Sequence, residues 1–314
     1  MRTRALGRTG LRVSEMSLGT WGLSGDAYGK VDAADARKVI ERAVEIGFTL
    51  FDTSDAYGAG AMEKLLGEVL APYPHVTIVT KIGTDRTTDP ARKRFDADYL
   101  RAATERSLKR LGRTRLDVCL LHNPSASAVT VGDAVDALKE LKKDGLVRHW
   151  GVAAGDADVA RAAARRGAEV IELAYSVFHG SDLHRVAGEI MVSRAGVLAR
   201  SVLAHGLLGG GWDRTREFGD GDHRAQRWSR LELARRVGQL DAIHFLLHGE
   251  VRTLRSAALR FVLANSLVSS AVLGPRNVEQ LDELVSETGM GPLYLPDDDM
   301  AQLPRELLRV GIDT

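Results

Sequence analysis

Residues 48–60 read FTLFDTSDAYGAG. Phe48–Thr53 is a short apolar run of the kind that forms a buried strand, and the small and polar residues after it make a turn. Asp52 stands near the end of the run, and Tyr57 follows five residues later. Upstream, Asp32 caps a segment that puts Val39, Ile40, Ala43 and Val44 on one helical face before Gly47 stops it. Downstream, a helical stretch around Glu63–Leu70 leads to a second apolar run, VTIVTK, ending at Lys81. The unit is therefore helix, strand, helix, strand.

The same rhythm continues along the chain. Asp96 caps a helix whose Leu100, Thr104, Leu108 and Leu111 recur at the helical period before Gly112, and LDVCLL (116–121) is the next strand. Residues 131–144 supply a helix with Val135, Leu138 and Leu141 inside and Lys139, Glu140, Lys142 and Lys143 outside. VRHWGVA (147–153), AEVIELAY (168–175), GVLARSVL (196–203) and SSAVLG (269–274) read as further strands, and MSLGT (16–20) makes eight. Eight alternations predict one closed parallel barrel spanning 1–314, because each parallel crossover needs a helix to cover the sheet. Two segments lie outside the repeat. TRALGRTGLRVSE (3–15) reads as a hairpin that plugs the bottom of the barrel, and the polar, Gly-rich stretch 209–228 reads as a lid or flexible loop.

Composition sets the class of partner. Of 314 residues, 44% are hydrophobic and 27% charged, the balance of a globular protein with a sizeable core. Forty-three basic against forty-two acidic residues, with the signs mixed, argue against nucleic acid. The N-terminal stretch lacks the apolar core of a signal peptide and no run is long enough for a membrane span, so a cytoplasmic location is expected. The one cysteine, Cys119, lies in a strand-like run and reads as a buried hydrophobe. It sits three residues from His122, on the opposite strand face, which removes a Cys/His nucleophile. His244 and His248 have chelating spacing but no third ligand, so no metal is expected. Nothing in the sequence sets an oligomeric state.

In a barrel of this kind the chemistry sits at the C-terminal ends of the strands. Asp52, Lys81 and His122 end the second, third and fourth strands, and Tyr57 follows the second. Singly, each has an ordinary structural explanation; together they fall on one rim. A phenol is a poor proton donor at neutral pH unless a cation stabilises its phenolate, and Lys81 is that cation, with Asp52 to orient it. His122 can hydrogen-bond the oxygen that Tyr57 protonates. Such a set polarises a carbonyl and delivers a proton, and it needs a hydride source.

The chain resembles the aldo-keto reductase superfamily. The resemblance rests on LGTWG, FDTSDAYG, VTK, LLHNP and VLGPRNVEQLDEL, in that order and spread over nearly the whole chain. RSLKRLGRTRLDVCLLH and LKKDGLVRHWGV are similarly family-like. It implies a (β/α)8 TIM barrel with long C-terminal-face loops, binding NADPH in preference to NADH without metal, and acting on a small-molecule carbonyl. Tyr57 would be the general acid, Lys81 and Asp52 would tune it, and His122 would orient the carbonyl. Thr20, Trp21, Asp52, Glu172, Arg200, Ser201, Leu203, Gly206, Gly274, Arg276, Gln280 and Glu283 match cofactor positions, with Arg276 suited to a 2′-phosphate. Trp21, Tyr28, Asn123 and parts of the 209–230 loop would line the substrate pocket. The chain also departs from the family: Ala153 and Ala154 replace polar residues that hold the carboxamide, Glu172 stands where Gln is usual, and Leu284 where Asn is usual. The departures keep two other readings in view. One is a nucleotide-binding sensor or accessory subunit. The other is an enzyme using the same residues for elimination or epimerisation of a keto sugar.

Overall fold

The computed structural model describes residues 1–88, 90–289, 291 and 294–313. Eight parallel strands close into a barrel: β1 Met16–Gly19, β2 Leu50–Asp52, β3 Thr77–Ile82, β4 Leu116–His122, β5 Val147–Ala153, β6 Val170–Ala174, β7 Gly196–Arg200 and β8 Val268–Leu273. Each strand pairs with its neighbours in sequence, and β8 pairs with β1 to close the ring. This is the (β/α)8 architecture that the alternation predicts.

The barrel interior is a packed layer, not a channel. Leu50, Val79, Val118, Leu120, Val170 and Leu198 point inward and form one buried cluster with Leu6 and Val13. Those last two belong to the N-terminal hairpin, in which Thr3–Ala5 pairs antiparallel with Arg12–Ser14, so the hairpin does plug the barrel. Gly7 turns it with φ +52°, and a Cβ there would lie 2.2 Å from the backbone nitrogen of Gly196. A side chain at this turn would push the plug off the start of β7.

Side chains alternate along a strand, so the residue two steps beyond an inward one is also inward and one layer higher. Asp52 stands two beyond Leu50, Lys81 two beyond Val79, His122 two beyond Leu120, Glu172 two beyond Val170 and Arg200 two beyond Leu198. The top layer of this barrel is therefore polar and charged, directly above an apolar one.

Several element boundaries differ from the sequence reading: AEVIELAY gives a strand only over Val170–Ala174 and GVLARSVL only over Gly196–Arg200. The run Phe48–Thr53 yields a strand only over Leu50–Asp52, because the Phe48 amide bonds back to the Ala43 carbonyl and closes the preceding helix, Ala33–Glu45. The expected helix over 131–144 begins at Ala134; a separate short helix, Ala126–Thr130, precedes it, and the Gly132 amide turns back onto Ser127 between them. Asp32 and Asp96 cap helices as expected, and Asp156, not read as a cap from the sequence, also accepts a backbone N–H at a helix start.

The segment 209–230 is folded over the barrel mouth. The His223 amide donates to the Ala27 carbonyl at 2.9 Å, Tyr28 and Asp222 form a β-bridge, and Ser229 and Glu232 form a capping box that starts the helix Arg230–Gln239.

Candidate active site

The centre of the top layer is a buried lysine between two carboxylates. Lys81 Nζ donates to Asp52 Oδ1 at 2.6 Å and also to Oδ2, and Glu172 Oε2 lies 3.1 Å from the same nitrogen on its other side. All three side chains are buried. Burial and the neighbouring Glu172 push the Asp52 carboxyl well above the usual carboxylate range, against the pull of Lys81. Burial works against the charge on Lys81, but Asp52 and Glu172 together hold its pKa above the ordinary value. The ammonium is fixed in the protonated state.

Tyr57 stands above it. The turn after β2 brings the ring round through left-handed backbone at Gly58, Ala59 and Gly60, with φ of 57°, 53° and 92°. Arg86 fastens this turn, donating to the Ala56 carbonyl at 2.5 Å and to Asp26, which itself accepts the Gly58 amide at 3.2 Å. Lys81 Nζ lies 5.4 Å from the centre of the Tyr57 ring. Burial raises the proton affinity of the phenol and the lysine opposes this. The indole of Trp21 is stacked on the same ring at 6.5 Å, and the imidazole of His122 meets it edge-on at 5.9 Å.

His122 is uncharged. Its pKa is driven well below the ordinary value by burial and by the cations Lys93, Lys81 and Arg200. Its Nδ1 lies 2.9 Å from the Ser54 hydroxyl, whose single proton goes either to that nitrogen or to the Lys81 carbonyl at 3.0 Å, and which accepts the Ala56 amide at 3.1 Å. When Ser54 donates to Nδ1, the ring proton sits on Nε2. Lys93, from the hairpin formed by Thr84–Asp85 and Arg92–Lys93, donates to the His122 carbonyl at 2.7 Å and fixes the end of β4.

The rim of β5–β8 is different. Ala153 and Ala154 are buried and offer no side-chain donor, while Asp156 is engaged in capping Ala157–Arg165. Arg200 reaches into this space: it donates to the Ala154 carbonyl at 3.0 Å, and its Nε lies 3.8 Å from Glu172 Oε1. Beyond it the chain enters the left-handed region at Ser201, Ala204, His205 and Gly206, with φ of 58°, 47°, 59° and 93°. Non-glycine residues rarely adopt this backbone, and loops that clamp ligands concentrate it. Leu203, within the same loop, accepts the Gly206 amide at 2.9 Å. After β8, the Arg276 amide is held by the Gln280 side chain at 2.9 Å, and the Arg276 guanidinium turns onto the carbonyls of Gly29 and Lys30. Its Nε is buried with no partner among the described residues. The Gly274 carbonyl lies beside Gly22, and Glu283 pairs with Arg255 at 3.0 Å.

The lid completes the mouth. Trp21, Tyr28 and His223 pack as a trio with ring centres 4.7–5.4 Å apart, and His205 and Trp228 continue the wall. Arg224 lies over the Tyr28 ring at 4.9 Å while paired with Asp222 at 2.6 Å.

The aldo/keto reductase family model matches residues 15–304 of this chain. The chain belongs to that family. It is 27% identical to aldo-keto reductase YhdN of Bacillus subtilis over 92% of this chain and 89% of the relative, and 29% identical to L-galactose dehydrogenase of Arabidopsis thaliana over 90% and 86%. Among solved structures, glycerol dehydrogenase AKR11B4 of Gluconobacter oxydans superposes with a TM-score of 0.83 at 24% identity, covering 99% of this chain and 97% of that one. The protein is thus an NAD(P)H-dependent oxidoreductase of a family acting on small carbonyl substrates.

Within this aldo/keto reductase, the structure gathers Asp52, Tyr57, Lys81, His122, Trp21, Tyr28, Glu172 and Arg200 at one mouth. Two residues lie apart from it. Thr20 is fully buried, its hydroxyl bonding the Asp52 carbonyl at 3.0 Å and Thr53 at 2.9 Å, so it steadies the end of β2 instead of facing a ligand. Asn123 is exposed beyond β4, with φ +49° and its amide on the Ala153 carbonyl. Leu284 is a core residue. His248 pairs with Asp299 at 2.8 Å, and no metal-binding group of three or more ligands occurs among the described residues. Cys119 is buried, its thiol pushed up by burial. No helix among the described residues is long and apolar enough to cross a membrane. Sequence reading singled out neither Ser54 nor His205, and reached His223 and Trp228 only as parts of the 209–230 segment. Ser54 looks like an ordinary turn former, and the other three reach the site only through the folding of loops.

Proposed function

We propose that this protein reduces an aldehyde, ketone or keto-sugar carbonyl using NADPH, with Tyr57 as the proton donor. The observation that carries the reading is the stacked order of groups at the mouth: an uncharged His122 and a protonated Tyr57 side by side, above a lysine fixed in its charged form. His122, being neutral, is a hydrogen-bond donor and not an acid; in the tautomer in which Ser54 donates to Nδ1, its Nε2–H holds the carbonyl oxygen. Tyr57 then gives its proton to that oxygen. The phenolate left behind is stabilised by Lys81, which Asp52 keeps in place.

When bound, a reduced nicotinamide would supply the hydride that, with the proton from Tyr57, turns the carbonyl into an alcohol. The residues present fit such a cofactor. The left-handed run from Ser201 to Gly206 suits a phosphate-binding loop, Gly274 and Gln280 frame Arg276, and the unpartnered Arg276 Nε is a donor suited to a 2′-phosphate. At the nicotinamide end, Glu172 and Arg200 stand in for the missing side chains of Ala153 and Ala154. The bare end of β5 favours a second reading, in which the barrel binds nucleotide as a sensor without turnover.

Mixing the purified protein with NADPH and a panel of aldehydes, ketones and keto sugars decides between these. Consumption of NADPH is expected with at least one of them, and NADPH should bind at least about tenfold more tightly than NADH. Binding without turnover would leave the sensor; binding of neither nucleotide would end both readings.

A further inference from the structure

The Ser54 hydroxyl has one proton and three acceptors around it: Asp55 Oδ1 at 3.3 Å, the Lys81 carbonyl at 3.0 Å and His122 Nδ1 at 2.9 Å. The Ala56 amide already occupies one lone pair of the same oxygen at 3.1 Å. Asp55 is largely buried behind the turn that carries Tyr57, and Ser54 is the one side-chain hydrogen-bond partner of its carboxyl among the described residues. No cation pairs with it among those residues, since Arg110, which faces it, is committed to Glu63 at 2.7 Å. The groups facing Asp55 are Glu63 on helix Ala61–Leu70, Tyr99, Arg106 and Arg110 on helix Ala97–Leu111, Lys93 on the 84–93 hairpin and Cys119 on β4. Burial, then the charge of Glu63, outweighs the cations and raises the carboxyl to about 7.

We propose that Asp55 is a positioning residue that decides, through Ser54, which nitrogen of His122 carries the ring proton. Lone pairs set the direction. A neutral Asp55 donates its O–H to Ser54 Oγ, whose two lone pairs are then filled by Asp55 and by the Ala56 amide. Nδ1 can no longer donate to that oxygen and accepts the Ser54 proton instead, so the ring proton sits on Nε2, the donor that a carbonyl oxygen needs. An ionised Asp55 draws the Ser54 proton to itself, because a hydrogen bond to a carboxylate is the stronger one. One lone pair of Oγ is then free to accept from Nδ1–H, and Nε2 is left bare. The chain Asp55, Ser54, His122 thus couples a carboxyl behind the turn to the hydrogen-bonding face of the imidazole. The assignment rests on the reductase reading only for its effect on turnover.

Imidazole nitrogen NMR spectra of the protein without cofactor read the tautomer, with the His122 signals identified by their loss in His122→Asn. In the wild type the ring proton should sit on Nε2 at about pH 5.5 and on Nδ1 at about pH 8.5, with a midpoint at about 7. Asp55→Asn should hold it on Nε2 throughout, because an amide N–H donates to Ser54 at any pH, and Ser54→Ala should remove the pH dependence by cutting the chain. In turnover, kcat/KM of the wild type should fall about five- to tenfold as the pH rises through that midpoint, a step absent from Asp55→Asn. A wild-type tautomer that is the same at both ends of the range, or a shift that persists in Asp55→Asn or in Ser54→Ala, overturns the proposal; an Asp55 with a purely structural role would change melting and leave the tautomer where it was. If the tautomer moves as expected but no carbonyl is reduced, the reductase reading fails and the assignment of Asp55 stands.

Discussion

The rim of β2–β4 and the rim of β5–β8 sit on the same barrel and are built on opposite plans. On the first, Lys81 is tied to Asp52, His122 to Ser54, and the backbone of the turn carrying Tyr57 to Arg86 and Asp26. On the second, the polar groups are held more loosely. Arg276 Nε is buried without a hydrogen-bond partner among the described residues, Glu172 is met by Lys81 of the first rim at 3.1 Å, and Arg200 reaches across to a backbone carbonyl. A preorganised set of dipoles is what stabilises charge developing in a reaction, because it needs no rearrangement when the charge appears. Unpartnered groups are what a site looks like when its partners arrive with a ligand. On the proposed reading, the two rims divide the work between chemistry and cofactor.

Replacing Tyr57 by Phe should break the first rim and spare the second. Turnover should fall by about 10²–10⁴-fold, the usual worth of a positioned acid, while NADPH affinity stays within about a factor of two. Equal turnover in the two proteins, read from NADPH absorbance, would remove Tyr57 from the chemistry. The complementary change is Arg276→Ala. Loss of a charge-assisted contact to a 2′-phosphate should weaken NADPH by about 10–100-fold and leave NADH nearly unchanged in a fluorescence titration. If both nucleotides weaken alike, Arg276 supports the loop after β1 through Gly29 and Lys30 and does not read the phosphate.

The difference between the rims also explains what the sequence reveals. Asp52, Lys81 and His122 are legible because each closes an apolar run, and period-two alternation sends each to the same face as the core residue below it. The hairpin plug and the barrel itself follow from the same local patterns. Glu172 is visible as a strand residue, but its reach to Lys81 is not, since two strands separate β3 from β6 and only the curvature of the closed ring brings their side chains together. His205, His223 and Trp228 carry no period at all. Their place around Trp21 and Tyr28 depends on how one irregular segment lies on another.

Ser54 offers a finer cut within the first rim. Its hydroxyl is the group that fixes the His122 ring, so Ser54→Ala should leave the imidazole free to carry its proton on either nitrogen. One hydrogen bond of about 1 kcal/mol corresponds to about fivefold in kcat, with NADPH affinity unaffected and Ser54→Thr restoring the rate. A change in cofactor affinity instead would mean that the two rims are not separable at this residue.

Asp55 gives the smallest effect and the one that tests stability alone. It lies just behind the catalytic turn, and burial followed by the charge of Glu63 raises its carboxyl to about 7, against the pull of Arg110. A carboxyl whose pKa is higher in the folded than in the unfolded chain binds more protons when folded, so its contribution to stability is largest at low pH and declines as the pH rises through the folded value. Between about pH 4 and pH 7 the wild type should therefore lose stability that Asp55→Asn does not. The asparagine variant should melt close to the wild type at pH 4.5 and gain on it by about 1 kcal/mol, or two to four degrees, at pH 8.5. If the gain is reversed, with the wild type the more stable protein at high pH, then Arg110 holds Asp55 as a carboxylate and the ground behind the first rim is as fully paired as the rim itself.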